Sequence, residues 1–320
     1  MRVVVAGGSG FIGSHVCAEL LARGCDVVCV DNLLTGRLDN VAPLLGRPGF
    51  TFVGADVARV ASLDADLILD LASPASPVHY QRYPIETMLA NSAGTKRLLD
   101  IAVEQRARFV FASTSEVYGD PLVHPQPETY WGNVNPIGPR ACYDESKRFG
   151  EALTMAYRQR HGVNASIVRI FNTYGPRMNI DDGRVVPVFA TAALEGRPMP
   201  VHGDGRQTRS FCHVSDLVDG LLRVAMDDAA DGEVFNIGNP EEVTVLELAE
   251  AVAKAAEVDP RIEWLPPVPD DPARRKPDIA KMRARYGWEP RVSLADGLRD
   301  TIAYFREALK LAGRLREVVA

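Results

Sequence analysis

The sequence predicts an α/β fold: a doubly wound parallel sheet covered by helices, followed by a smaller C-terminal α/β lobe. Three observations predict it. Short apolar runs alternate with helical periodicity through the first half of the chain. A glycine-rich turn joins the first run to the first helical pattern, and an aspartate closes the second run. After Ile170 the loops lengthen and become Pro-rich, as at Pro187, Pro198, Pro200, Pro266 and Pro267.

The strand candidates of the first half are Val3 to Ala6, Val27 to Val30, Phe50 to Val53, Leu67 to Leu71, Phe109 to Ala112 and Ser166 to Ile170. Their nearly continuous apolar character suits strands buried on both faces. Helical patterns cover Phe11 to Arg23, Ile85 to Gln105 and Tyr143 to His161. Beyond them, helices are expected at Val214 to Ala225, Leu246 to Ala256, Ile279 to Tyr286 and Leu294 to Ala312, and short strands at Phe235 to Ile237 and Ile262 to Leu265. The expected organisation is a cofactor-binding domain over residues 1–171, with later segments crossing back to it. Residues 172–320 form mainly a substrate-binding lobe.

Composition narrows the function. With 46% hydrophobic and 24% charged residues, the chain of 320 residues reads as an ordinary globular protein. A net charge of -6, with Lys and Arg scattered, excludes the basic face that nucleic acid needs. No apolar run approaches the roughly 20 residues of a membrane span. The N-terminus enters a strand pattern at once, with no export signal, so a cytoplasmic location is expected. The five cysteines are odd in number and include no Cys-x-x-Cys pair, which points to buried thiols rather than disulfides or a metal site.

Gly7-x-x-Gly10-x-x-Gly13 follows the first strand and opens the first helix. Such a turn needs backbone freedom, close approach of a pyrophosphate and tight helix–strand packing, and the helix N-terminus adds free N–H groups and a positive dipole. In a Rossmann-like sheet this is a dinucleotide site. Asp31, ending the next strand, can accept both ribose hydroxyls and would repel a 2′-phosphate, which favours NAD over NADP.

Tyr143-x-x-x-Lys147 places two side chains on one helix face. A phenol with an ordinary pKa of about 10 is a poor base near neutrality. A lysine ammonium and a positive nicotinamide close by would favour the phenolate. Ser113-Thr114-Ser115-Glu116 follows a strand of the same sheet, at the end where doubly wound sheets place their sites. The Thr114 hydroxyl could orient a substrate oxygen there.

At these residues the chain resembles the extended short-chain dehydrogenase/reductases that modify nucleotide sugars. Within them it is similar to the UDP-glucuronate decarboxylases. The likeness runs through Asp31-Asn32 with Thr35-Gly36, Ala72 to Pro77, Ser113 to Asp120, Tyr130-Trp131-Gly132 and Asn135 to Arg140. It continues in Cys142 to Glu145, Arg169 to Arg177, Asp182-Gly183-Arg184, Gln207-Thr208-Arg209, Pro277-Asp278-Ile279 and Gly287 to Pro290. The resemblance implies that Tyr143 is the base at the sugar C4 hydroxyl, that Lys147 tunes it, and that Thr114 and Ser115 assist. It implies that Glu116 and Arg209 handle a hexuronate carboxylate and that Asn172 and Arg275 hold the UDP diphosphate. Pro74, Arg177, Val186 and His202 complete the implied sugar-nucleotide site. The implied NAD site adds Phe11, Ile12, Asn32, Thr35, Gly36, Leu71, Ala72, Ser73, Asn91 and Ser113, with Asp56 and Val57 lining the adenine pocket.

Some positions depart from the decarboxylase spelling. Ser146 replaces Gly, Pro187-Val188 replaces Ser-Asn, His213 replaces Tyr, His202 replaces an aromatic expected on uracil, and Asp70 replaces His. His202 and His213 could equally be structural histidines. Ser146, Pro187 and His213 are commoner in related epimerases and dehydratases. The expected reaction is therefore oxidation of UDP-glucuronate at C4, followed by reduction on the opposite face to UDP-galacturonate. Decarboxylation of the same 4-keto intermediate to UDP-xylose is the alternative, and a non-catalytic NAD-binding regulator is a remote one. The resemblance also implies a homodimer joined through the helices Ile85 to Gln105 and Tyr143 to His161, with Leu89, Leu98, Ile101, Leu153 and Ala156 at the interface or in the core.

Overall fold

Seven parallel strands build the central sheet. The computed structural model describes residues 1–267 and 274–315. The strands are β1 (Arg2–Ala6), β2 (Asp26–Asp31), β3 (Phe50–Gly54), β4 (Leu67–Asp70), β5 (Arg108–Thr114), β6 (Ala165–Ile170) and β7 (Val234–Ile237). Their order is β7-β6-β5-β4-β1-β2-β3. It reverses between β1 and β4, so the C-terminal ends of these two strands open a crevice suited to a ligand.

Alternation along the strands sends side chains to two cores. Val3, Val5, Leu67, Leu69, Val110 and Ala112 pack with the helices Phe11–Ala22 and Val214–Ala225. Val4, Ala6, Ile68, Phe109 and Phe111 face Leu98, Leu99, Ile101 and Ala102 of the helix Thr95–Gln105. A third core joins the helices Val185–Leu194, Val245–Ala256 and Leu294–Leu311. Beside it, Met199–His202 pairs with Ile262–Leu265. Thr208–Ser210 is flanked by Glu242–Thr244 and Arg274–Arg275.

Several boundaries differ from the sequence expectation. β5 runs to Thr114, so Ser113 and Thr114 are strand residues. β4 stops at Asp70, one residue early. The long pattern Ile85 to Gln105 is built as Pro84–Leu89, a π-turn at Ala90–Gly94, and Thr95–Gln105. The helix Val185–Leu194 was not expected. Pro187 obscures it in the sequence, yet Pro is tolerated in a first turn, where the N–H has no helical partner. No helix among the described residues is long and apolar enough to cross a membrane.

Candidate active site

The crevice at the sheet reversal is the mouth of a cleft of about 520 Å³. On one side lies the glycine-rich turn. Gly7 has φ 75°, and a Cβ there would stand 2.7 Å from the Leu71 carbonyl oxygen. A Cβ on Gly13 would stand 2.2 Å from the Gly7 oxygen. The chain crosses itself here at distances that only glycine permits. Gly10 caps the helix Phe11–Ala22 without a side-chain bond, so the amides of its first turn face the cleft unsatisfied. This cradle, with its free N–H groups and positive dipole, fits a pyrophosphate.

Asp31 stands behind the turn. Its carboxylate accepts hydrogen bonds from the Ser9 and Leu33 amides at 2.9 and 2.8 Å. A Cβ on Gly36 would come within 2.8 Å of both its oxygens, which accounts for the glycine. Burial raises the Asp31 carboxyl above its ordinary range.

On the opposite wall, Tyr143 occupies the first turn of the helix Ala141–His161 and is buried. Its ring stacks on Tyr80 at 5.2 Å between centroids. Burial pushes its phenol up; a hydrogen bond with Thr114 and the Arg184 guanidinium pull it down. The sequence led us to expect Lys147 beside the phenol. Its amine lies 6.0 Å from the Tyr143 ring centroid and also donates to the Ala112 carbonyl at 2.8 Å. In the chain by itself burial prevails, and the phenol is protonated near neutrality.

Glu116 lies in the turn Ser115–Tyr118 just past β5, held by Arg140 and by both nitrogens of the Arg275 fork. The two guanidiniums outweigh its burial and hold it at about 2. Arg275, expected at the diphosphate, is thus the partner of Glu116. Arg209 is its cross-strand neighbour, and both line the cleft. Asp144, next to Tyr143, is buried with its Oδ1 lacking a hydrogen bond. Burial and the Glu116 charge push it up to about 7.

Of the residues named from sequence, the lining brings together Gly7, Gly10, Phe11, Ile12, Gly13, Thr35, Leu71, Ser73, Ser113, Thr114, Ser115, Glu116, Tyr143, Lys147, Asn172, Arg177, Val186, His202, Arg209 and Arg275. Eight lie off it: Asp31, Asn32, Gly36, Asp56, Val57, Ala72, Pro74 and Asn91. Asn32 and Asp56 are exposed and cap their own turns through Leu34 and Ala58. Val57 is core, packed where a Cβ on Gly94 would reach it. Ala72 backs Gly7, and Pro74 is buried. Ser113 donates to Glu151 at 2.6 Å. Asn91 sits in the π-turn and donates to Ser73, Thr87 and Ser146.

The departures acquire structural reasons. Ser146 accepts the Asn91 amide and donates to the Tyr143 carbonyl, tying the π-turn to the helix of the phenol. His213 caps the helix Val214–Ala225, accepting from the Ser215 amide. His202 lines the cleft with Nδ1 bonded to the Pro266 carbonyl. Sequence reasoning gave no role to Tyr80, Arg140, Asp144 or Arg184. Arg140 and Arg184 lay inside the motifs that carry the resemblance, but nothing in their spacing joined them to Glu116 or Tyr143.

Residues 3–238 match the model of the NAD dependent epimerase/dehydratase family. The chain belongs to that family. UDP-glucuronic acid decarboxylase 1 of Arabidopsis thaliana is 50% identical over 309 residues, covering 97% of this chain and 71% of that protein. UDP-glucuronic acid decarboxylase 4 of the same plant is 53% identical over 307 residues, 96% of this chain and 69% of that one. Among solved structures, UDP-glucose 4-epimerase of Thermotoga maritima with UDP-glucose superposes with TM-score 0.87 at 31% identity, covering 97% of this chain and all of that one. UDP-glucuronic acid 4-epimerase of Bacillus cereus, in complex with UDP-glucuronic acid and NAD, gives TM-score 0.87 at 28% identity over 96% of this chain and all of that one. This epimerase/dehydratase chain is an NAD-dependent enzyme on a Rossmann-like sheet, and its glycine cradle fits the cofactor.

Proposed function

We propose that the enzyme decarboxylates UDP-glucuronate to UDP-xylose through a 4-keto intermediate. The observation that carries this reading is identity of about one half, over nearly the whole chain, to UDP-glucuronic acid decarboxylases. It reverses the weighting drawn from the sequence departures. Ser146 and His213 do structural work at helix contacts, so they say little about the fate of the sugar. The 4-epimerase likeness is to a solved structure at 28% identity.

NAD, when bound, accepts two electrons from C4 and later returns them. It would rest on Gly7, Gly10 and Gly13, with Asp31 toward the ribose. Thr114 orients the C4 hydroxyl, and Tyr143 takes its proton. Thr114 and Arg184 help the phenol to ionise against burial. Once C4 is a ketone, the C6 carboxylate is β to it. The C5–C6 bond can break when it stands perpendicular to the carbonyl plane, leaving its electrons in the enolate. C5 then takes a proton from solvent, and as C4 is reduced Tyr143 returns its proton to the C4 oxygen. Arg209 and the Glu116–Arg275 pair set the carboxylate's orientation, where a small misplacement changes rates about a hundredfold. Residues 1–171 with β7 form the cofactor half, and 172–320 mainly the sugar half.

We also assign a homodimer. Ile85, Met88 and Leu89 of Pro84–Leu89 and Phe149 of Ala141–His161 are exposed. Leu98 and Ile101, named from sequence for either role, face the core. The five unpaired cysteines suit the reducing cytoplasm.

Incubation with NAD and UDP-glucuronate tests the reaction. A product lighter by carbon dioxide supports it. An unchanged mass with a new retention time would instead establish epimerisation.

A further inference from the structure

Asp70 ends β4 with 1% of its surface exposed, and it is not part of the cleft lining. Side chains alternate along β4. Leu67 and Leu69 go to one core, Ile68 to the other, and Asp70 follows Ile68. Its partner in register on β5 is Phe111, whose side chain belongs to that same second core. The Lys147 amine lies 4.9 Å from the Phe111 ring centroid and donates to the carbonyl of the next residue, Ala112. Asp70 and the amine thus lie on the same face of the sheet, on either side of the Phe111 register position.

Two hydrogen bonds and one charge support the carboxylate against its burial. Oδ2 accepts the Thr95 hydroxyl at 2.8 Å and Oδ1 accepts the Ala72 amide at 3.3 Å. Burial raises its carboxyl, with Lys147 foremost in opposing the rise. Conversely, burial pushes Lys147 down to about 8, with Asp70 first and Glu151 second in holding it up. Glu151 is already engaged, by both nitrogens of the Arg169 fork at 2.8 Å and by Ser113. Tyr143 faces the amine from its own helix.

We propose that Asp70 is a positioning residue: its carboxylate is the counter-charge that fixes the Lys147 amine, as an ammonium, between β5 and Tyr143. Asp70 acts on the reaction through Lys147 and touches neither sugar nor cofactor. The inference rests on Tyr143 being the base.

Asp70→Asn tests it, because the amide keeps the shape and can still accept the Thr95 hydroxyl while the charge is lost. In the full chain with NAD and UDP-glucuronate, kcat falls about fivefold at pH 8, with KM and NAD affinity within about twofold of wild type. The alkaline limb of the rate profile, where Lys147 loses its proton, moves down by about one pH unit. Asp70→Glu restores the limb in part. A merely structural role would lower stability without moving the limb. An unchanged profile and kcat, in a variant that binds NAD, overturns the proposal. If Asp70→Asn does not fold, Thr95→Val removes one donor to the carboxylate and moves the limb the same way by less; no movement there overturns the proposal equally. Full activity in Tyr143→Phe would instead defeat the assignment of the base, so the two failures are distinct.

Discussion

The two halves of the cleft are built by different means. The cofactor half is backbone. Gly7, Gly10 and Gly13 lie within seven residues and act through the absence of side chains and the free amides of one helix turn. The proposed sugar side is an assembly of charges drawn from both parts of the chain. Glu116, Arg140 and Arg275 meet although 159 residues separate the first from the last. A site made from local backbone geometry is fixed once its strand and helix form. A site made from distant ions depends on every segment that carries one and on the balance between burial and pairing.

The sharpest test of that division lies on the seam between the halves. Tyr143→Phe should lower turnover by about 10³-fold, roughly 4 kcal/mol, while NAD and UDP-sugar binding measured by calorimetry persist. Loss of either binding would mean that the ring, stacked on Tyr80, holds a half together rather than acting on the sugar.

In the sugar half, Arg275→Ala leaves Glu116 with Arg140 in a buried place. We expect a loss of about 3 kcal/mol in unfolding free energy, with NAD affinity retained. Chemical denaturation with and without NAD checks it. A change below about 0.5 kcal/mol would show that solvent, not Arg275, supports the Glu116 charge. In the cofactor half, Gly13→Ala forces the turn apart, since its Cβ would lie 2.2 Å from the Gly7 oxygen. NAD affinity should fall about 30-fold, roughly 2 kcal/mol, with UDP binding unchanged. If UDP binding fell equally, the halves would not be separable.

The same contrast explains what could be read in the sequence. The sheet and its order of elements were legible because buried parallel strands are written as apolar runs. The cradle was legible because glycine has few other reasons to recur at that spacing. The ends of elements were not. Thr114 belongs to β5 because pairing with Ile170 carries the strand past its apolar run. The π-turn around Asn91 has no periodic mark. The resemblance placed Arg275 at a diphosphate, and no spacing in the sequence joins it to Glu116, which its guanidinium holds across 159 residues. Lys147 was placed beside the phenol by helix spacing; its amine does face the Tyr143 ring, but the Ala112 carbonyl and the Phe111 ring that also hold it lie on β5, where no helix spacing points.

The effect expected at Asp144 is set by pH. Its ordinary pKa of 3.8 is pushed up to about 7 by burial and by Glu116. Folding therefore resists its ionisation: the penalty is absent below pH 3.8, grows as pH rises, and is complete above about 7. Asp144→Asn removes the charge and keeps the shape, so it should stabilise the protein at pH 8 and do so less at pH 5. Thermal unfolding at the two pH values reads the difference. A gain equal at both would point to packing, and a loss at pH 8 would mean that Arg140 and Arg275 need this carboxylate as well as Glu116. That outcome would make the sugar half a four-membered ion cluster, whose balance shifts with every member and which no local motif could announce.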